Sequence, residues 1–242
     1  MNKYRMLCAA MFITVGASLF SCTGTQEPVG NTSASASVDK RQVSYILEST
    51  TKDSFDLPYP AVVGGMPLQE ALAARATGRE FSNKPLSDQQ ISDILWSANG
   101  VNRKESLMRT APSARNFQEI DIYLFVKSGI YKYDAVRNYL FLVKAGDHRR
   151  EAGNAAFFKT APVALVYAAD FERMEYDQAA KDFYSATDVG FVSQNVYLYC
   201  ASNKLSTCVC GYIDRESLRL RVGALNGKVL LTQAIGYPVG AE

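Results

Sequence analysis

Three side chains at alternate positions, Arg75, Thr77 and Arg79, carry the clearest chemical signal in this sequence. They follow an apolar, helix-like run from Leu68 to Ala74. If the backbone leaves the helix there and runs extended, side chains two residues apart point to one side. Two guanidinium forks and a hydroxyl then converge on one point, a donor set suited to a phosphate. Gly78 permits an unusual turn or a close approach to a ligand. The same heptad also reads as two solvated arginines at a helix end, since charge runs commonly face water. A second polar stretch, residues 109–118, is interrupted by Pro112 and stands just before the apolar run Ile120 to Val126. Loops so placed favour binding residues, because the scaffold positions them while their backbone groups stay unpaired.

Other chemistries are poorly supplied. The single histidine, His148, has no nucleophile motif near it, which argues against a hydrolase triad. It reads instead as a residue at a helix start. Three cysteines, Cys200, Cys208 and Cys210, with one histidine lack the paired spacing of a zinc site. Cys208 and Cys210 share one face of an expected strand, so a bridge between them is awkward, and Cys200 with either remains open. The net charge of +2 is accounted for by Lys3 and Arg5 at the N-terminus. The remainder is neutral and offers no basic footprint for nucleic acid.

The N-terminal residues read as a targeting signal. Lys3 and Arg5 precede an apolar run over residues 6–20, too short for a membrane-spanning helix. The run closes with Leu19-Phe20-Ser21-Cys22, which resembles a bacterial lipoprotein cleavage box with Cys22 as the lipidated residue. Residues 1–22 are therefore expected to be a lipoprotein signal, placing the protein outside the cytoplasm on the cell envelope, periplasmic or surface-facing. Residues 23–40 are rich in Thr, Ser, Gly and Ala and cannot bury a core, so 23–57 are expected as a flexible tether and lead-in. The folded domain is expected over 58–242, a length that supports one sizeable core.

The positioning elements follow from pattern. Pro67 stands at a helix start, with Leu68 and Leu72 at helical spacing. Ser87 with Gln90 three residues on is a capping box, opening a helix whose Ile91, Ile94, Leu95 and Ala98 form a stripe that Gly100 ends. Strands are expected at Ile120–Val126, 130–133 and 140–143, then a helix from His148 or Arg149 to about Phe157. Residues 161–169 are apolar on both faces, as in a central buried strand. Residues 187–203 form the most apolar helix, nearly apolar around its circumference, so it sits in a large core or between subunits. Gln194 and Asn195 within it need hydrogen-bond partners if buried. Strands at 206–213 and 228–235 flank a short helix capped by Asp214. Strands and helices mix without regular βαβ alternation, which predicts an α+β fold.

Taken in order, these segments resemble the flavin-dependent nitroreductase family: Arg75-x-Thr77-x-Arg79-x-Phe81, Pro85-Leu86-Ser87, Ala111-Pro112-Ser113-Ala114-x-Asn116, Asp188-x-Gly190-x-x-x-Gln194-Asn195, Cys210-Gly211 and Gly236-Tyr237-Pro238. Two further stretches, residues 109–113 and Gly129–Asp134, are similar to the branch that includes thiazole/oxazole-forming peptide dehydrogenases. The resemblance implies a mixed, mainly antiparallel sheet flanked by helices, in a homodimer with FMN held at each of two interface sites. Arg75, Thr77 and Arg79 would take the phosphate and the polar flavin edge, and Ser113 and Asn116 would reach the cofactor from the partner subunit. Gly211 matches the residue whose N–H meets flavin N5, with Cys210 beside it. Arg115 is large and charged where many relatives carry a small residue. The implied activity is hydride transfer through N5 to or from a small organic substrate. NAD(P)H is the family's common electron donor but is not freely available outside the cytoplasm. The alternative is a non-catalytic lipoprotein that holds flavin or a partner protein.

Overall fold

A computed structural model describes residues 43–240. The expected signal, the expected lipidation residue Cys22 and the expected tether up to residue 42 lie outside the described residues. Among the described residues no helix is long and apolar enough to cross a membrane.

The first elements are a short helix α1 (Ile46–Ser49), an edge strand β1 (Ser54–Asp56) and helices α2 (Leu68–Ala74) and α3 (Asp88–Asn99). Helix α3 starts as its sequence dictates: the Ser87 hydroxyl accepts from Gln90 N–H while the Gln90 side chain accepts from Ser87 N–H. A small β2 (Val101–Arg103) and β3 (Met108–Arg109) hairpin precedes β4 (Ile120–Val126), β5 (Gly129–Asp134) and β6 (Tyr139–Ala145). The chain then continues through β7 (Val163–Asp170), α4 (Gln178–Ser202), β8 (Ser206–Cys210), α5 (Arg215–Val222) and β9 (Gly227–Gly236). Seven strands make one sheet in the order β1-β6-β5-β4-β7-β9-β8, with every described ladder antiparallel.

Central β7 is buried along nearly its whole length, so its alternating side chains serve two cores. Val163, Leu165, Tyr167 and Ala169 face α3 and α4, while Ala164, Val166 and Ala168 face α5 and Phe158. Cys200 belongs to the first core and Cys208 and Cys210 to the second. The sheet therefore separates them, and all three are free thiols.

Four expectations need correction. Residues 43–57 are part of the fold rather than a lead-in: Leu47, Phe55 and Leu57 are buried, and β1 pairs with β6. Asp88 ties this segment down by accepting from Ser44 Oγ and from the N–H groups of Ile46 and Leu47. The expected helix at 148–157 is two 3₁₀ turns, Arg149–Glu151 and Ala156–Lys159. They break at Gly153, where the Phe158 ring packs 2.3 Å from the position a Cβ would take. Helix α4 begins nine residues before 187, because Asp177 caps it by accepting from Ala180 N–H, and the added turns bury no apolar side chain. Strand β8 ends at Cys210, three residues early, which lets Gly211 and Tyr212 leave the sheet into solvent.

Candidate functional site

The residues after α2 run extended, as the alternation of Arg75, Thr77 and Arg79 requires. Gly78 N–H donates to Thr207 O at 3.0 Å and Ser82 N–H to Tyr237 O at 2.9 Å, so the segment lies along β8 and the end of β9. A Cβ on Gly78 would fall 2.6 Å from Ser206 Oγ, so only glycine allows this approach. The support behind it is a satisfied polar network. Tyr167 OH donates to Gln233 Oε1, Gln233 Nε2 donates to Thr207 Oγ1, and Thr207 Oγ1 donates to Ala234 O.

Tyr197 of α4, which sequence reasoning did not single out, organises the solvent side. Its ring lies 5.5 Å from the Arg75 guanidinium, and its hydroxyl is 3.1 Å from Thr77 Oγ1. The same hydroxyl accepts from Val209 N–H at 3.0 Å. One of the two hydroxyl protons makes the Tyr197–Thr77 contact, and the other stays available to an outside acceptor. Arg79 reaches Cys208, whose thiol pKa is raised by burial and pulled back by the Arg79 charge and hydrogen bond. Neither Arg75 nor Arg79 lies within 4.0 Å of a carboxylate among the described residues. At the end of β8, Cys210 is buried and Gly211 exposed, and the Gly211 N–H has no acceptor among the described residues. Two guanidinium groups without carboxylates, a hydroxyl and a bare N–H are a donor set that fits an anionic, hydrogen-bond-accepting cofactor.

Ser113 and Asn116 lie elsewhere. Their loop holds three non-glycine residues in the left-handed region: Arg115 (φ 48°), Asn116 (φ 58°) and Gln118 (φ 51°). Such conformations persist only where surroundings over-determine them, and they gather at functional sites. Here Ala114 N–H donates to Asp188 Oδ2 at 2.8 Å, and Gln118 N–H donates to Ser113 Oγ at 2.9 Å. The Gln118 amide adds a bond to Asn116 Oδ1. Beneath the loop, Glu119 is fully buried, and neither of its carboxyl oxygens meets a donor. Its neighbour Asp188 is also buried, so the contact between the two is attractive only when one carries a proton. Burial pushes Glu119 up to about 7, and Asp188's charge adds to the shift. Glu119 was also missed: one acid beside an apolar run gives no sign in sequence that it folds inward.

The two sets face opposite ways. Asp188 and Tyr197 are nine residues apart on α4, about 13 Å along the axis and about half a turn around it. One protomer therefore does not bring Ser113 and Asn116 to Arg75, Thr77, Arg79 and Gly211. The outward face of α4 is open: Phe183 is 66% and Phe191 45% exposed, with Gly190 and Gln194 also exposed. Gln194 thus needs no internal partner. Val192 and Val196 point inward to the core.

The Nitroreductase family model matches residues 72–237. A protein of Methanocaldococcus jannaschii described as a nitroreductase is 32% identical over 161 residues, which cover 62% of this chain and 81% of the relative. The crystal structure of a protein from Ralstonia eutropha, described as a nitroreductase, is 35% identical with a TM-score of 0.76, covering 83% of this chain and 95% of that one. The NADPH:FMN oxidoreductase of Vibrio harveyi, solved with NAD+, has a similar fold at 21% identity and a TM-score of 0.54, over 71% of this chain and 69% of that one.

Proposed function

This chain belongs to the nitroreductase family, and we propose that it is an FMN-dependent oxidoreductase that works as a homodimer. The observation that carries the reading is the segment of Arg75, Thr77 and Arg79 laid along β8, two cations without carboxylate partners, with the bare N–H of Gly211 just past the end of that strand. Bound there, FMN would supply an N5 atom that accepts and gives hydride. Arg75 and Arg79 would hold the phosphate and the polar flavin edge, with the Thr77 hydroxyl as a further partner. The Gly211 N–H is a fixed donor toward N5, which tunes the cofactor without a titrating side chain. Cys210, buried behind it, shapes that turn.

Ser113 and Asn116 would complete the site from the partner subunit. The half-turn between Asp188 and Tyr197 supports this, since it sets one protomer's two half-sites on opposite sides of α4. The exposed stripe of Phe183, Phe191 and Gly190, with Leu68 and Leu72 of α2 also exposed, is the surface a second copy would cover. Arg115, exposed beside Phe117, would border that junction.

The lipobox reading makes the enzyme an envelope lipoprotein anchored through Cys22. Hydride would then come from an organic substrate more readily than from NAD(P)H. The test is the visible spectrum of the purified protein. Stoichiometric FMN is expected, and replacing Arg75 and Arg79 together by Ala should weaken it by about 3 kcal/mol, the scale of two charge-assisted hydrogen bonds. A folded wild-type protein that stays colourless after dialysis against excess FMN would overturn the reading.

A further inference from the structure

The two stretches that resemble the peptide-dehydrogenase branch meet away from the flavin half-site. Arg109 from the first and Lys132, Tyr133 and Asp134 from the second line one cavity of about 340 Å³. That size lies at the lower end of small-molecule sites.

The lining cations are not equally partnered. Arg173 pairs with two carboxylates, Asp121 (Nη2 to Oδ1, 2.5 Å) and Asp170 (Nε to Oδ2, 3.0 Å), and Lys132 Nζ is 2.7 Å from Asp121 Oδ2. The other lining acid, Asp134, uses Oδ1 to accept from Val136 and Arg137 N–H groups in its own turn. Arg109 has no carboxylate within 4.0 Å among the described residues. Its Nε donates to Gln118 Oε1 at 2.8 Å and its Nη1 to Asn99 O at 3.2 Å, which fixes the guanidinium plane and leaves Nη2 unpartnered. Burial holds its pKa below the ordinary arginine value, the mark of a cation that has given up water. Arg109 is thus the one lining cation without a carboxylate partner, and it sits on a rigidly held fork. Phe141, Ile122 and Ala135 supply an apolar wall beside it.

We propose that this cavity is a binding site for a small organic monocarboxylate with an apolar body, its carboxylate on Arg109 and its body against Phe141. The ligand supplies the carboxylate that Arg109 lacks, takes the open Nη2 donor and fills the apolar side. Gln118 holds Arg109 through one amide atom and Asn116 through the other. An occupant therefore also stiffens the loop that carries Ser113 and Asn116. The binding itself does not depend on flavin.

Benzoate is a suitable probe, measured by calorimetry on the purified full-length chain without added flavin, with benzyl alcohol as the neutral match. One site per chain is expected, with benzoate bound at least about tenfold more tightly than the alcohol, the scale of one charge-assisted contact. Arg109→Gln should remove that preference, and Arg109→Lys should keep part of it. Ala135→Phe fills the cavity from a half-exposed turn, and should abolish binding while leaving the melting temperature near wild type. The proposal fails if benzoate does not bind, if the alcohol binds equally well, or if benzoate binding survives Ala135→Phe. Because none of the residues that line the cavity is assigned to flavin, these outcomes stand whether or not the chain proves to hold FMN.

Discussion

The buried pair of Glu119 and Asp188 makes a sharp prediction about stability and pH. Glu119 is fully buried, its two oxygens meet no donor, and the carboxylate of Asp188 already accepts from Ala114 N–H. Glu119 is therefore the member that carries the proton, and burial raises its pKa from the ordinary 4.5 to about 7. A raised carboxyl binds its proton more tightly in the folded state than in the unfolded one. Its contribution to stability is thus fully present below about pH 4.5, is lost as pH rises toward about 7, and is flat above. At about 1.4 kcal/mol per pH unit, the loss between pH 5 and pH 8 is on the order of 3 kcal/mol. Glu119→Gln removes the titration and keeps a donor that can face Asp188. Denaturant unfolding of both proteins across pH 5–8 isolates the effect as a difference, since every other group is common to them. The two should be about equally stable at pH 5, and the variant should be more stable by about 2–3 kcal/mol at pH 8. A pH-independent difference, or a variant that is weaker at pH 8, would show that Glu119 is not the protonated partner.

Three shorter predictions test the rest of the architecture. Gly78→Val places carbon where Ser206 Oγ leaves only 2.6 Å, so the Arg75–Arg79 segment should lift from β8; flavin content should fall well before the melting temperature does, and an unchanged spectrum counts against the cradle. Phe191→Asp charges the exposed side of α4 without touching the core; sedimentation should report a folded monomer with no retained flavin, and an intact dimer refutes the interface. Cys22→Ser should leave an unprocessed precursor or release the protein from the membrane fraction, whereas wild-type migration and fractionation would refute the lipobox.

Sequence revealed local chemistry well and burial poorly. The Ser87–Gln90 box, Pro67, Asp214 and the run Ile120–Val126 each carry their own structural reason, and each forms the expected element. The first turns of α4 were hidden because they present Lys181, Asp182 and exposed Phe183, not an apolar stripe. Residues 41–57 read as a poorly defined lead-in with at most a short helix at Val43 to Glu48, yet Asp88 captures residues 44–47 with three hydrogen bonds and three side chains of the segment enter the core. Arg75, Thr77 and Arg79 could be named because alternation is a short-range property. Tyr197 could not, because its role depends on where Val209 and Thr77 arrive from distant parts of the chain.

The same contrast explains why α4 is apolar on more faces than one subunit can cover. Its inner line, Val189, Val192, Val196 and Cys200, packs on the sheet, and a charge at Val192 or Val196 would strike the fold itself. Its flanks carry two separate polar anchors: Asp188 holds the 113–118 loop, and Tyr197 holds the Arg75 segment. An odd spacing of nine residues turns these anchors to opposite sides. A spacing of seven or eleven would have set them on one side and allowed a site within one chain. In the proposed dimer the outer face, with Phe191 and the bare Gly190, would be the surface that brings the opposite half-site within reach. A two-fold partner would do this twice with one surface, because each copy would offer the half-site that the other lacks.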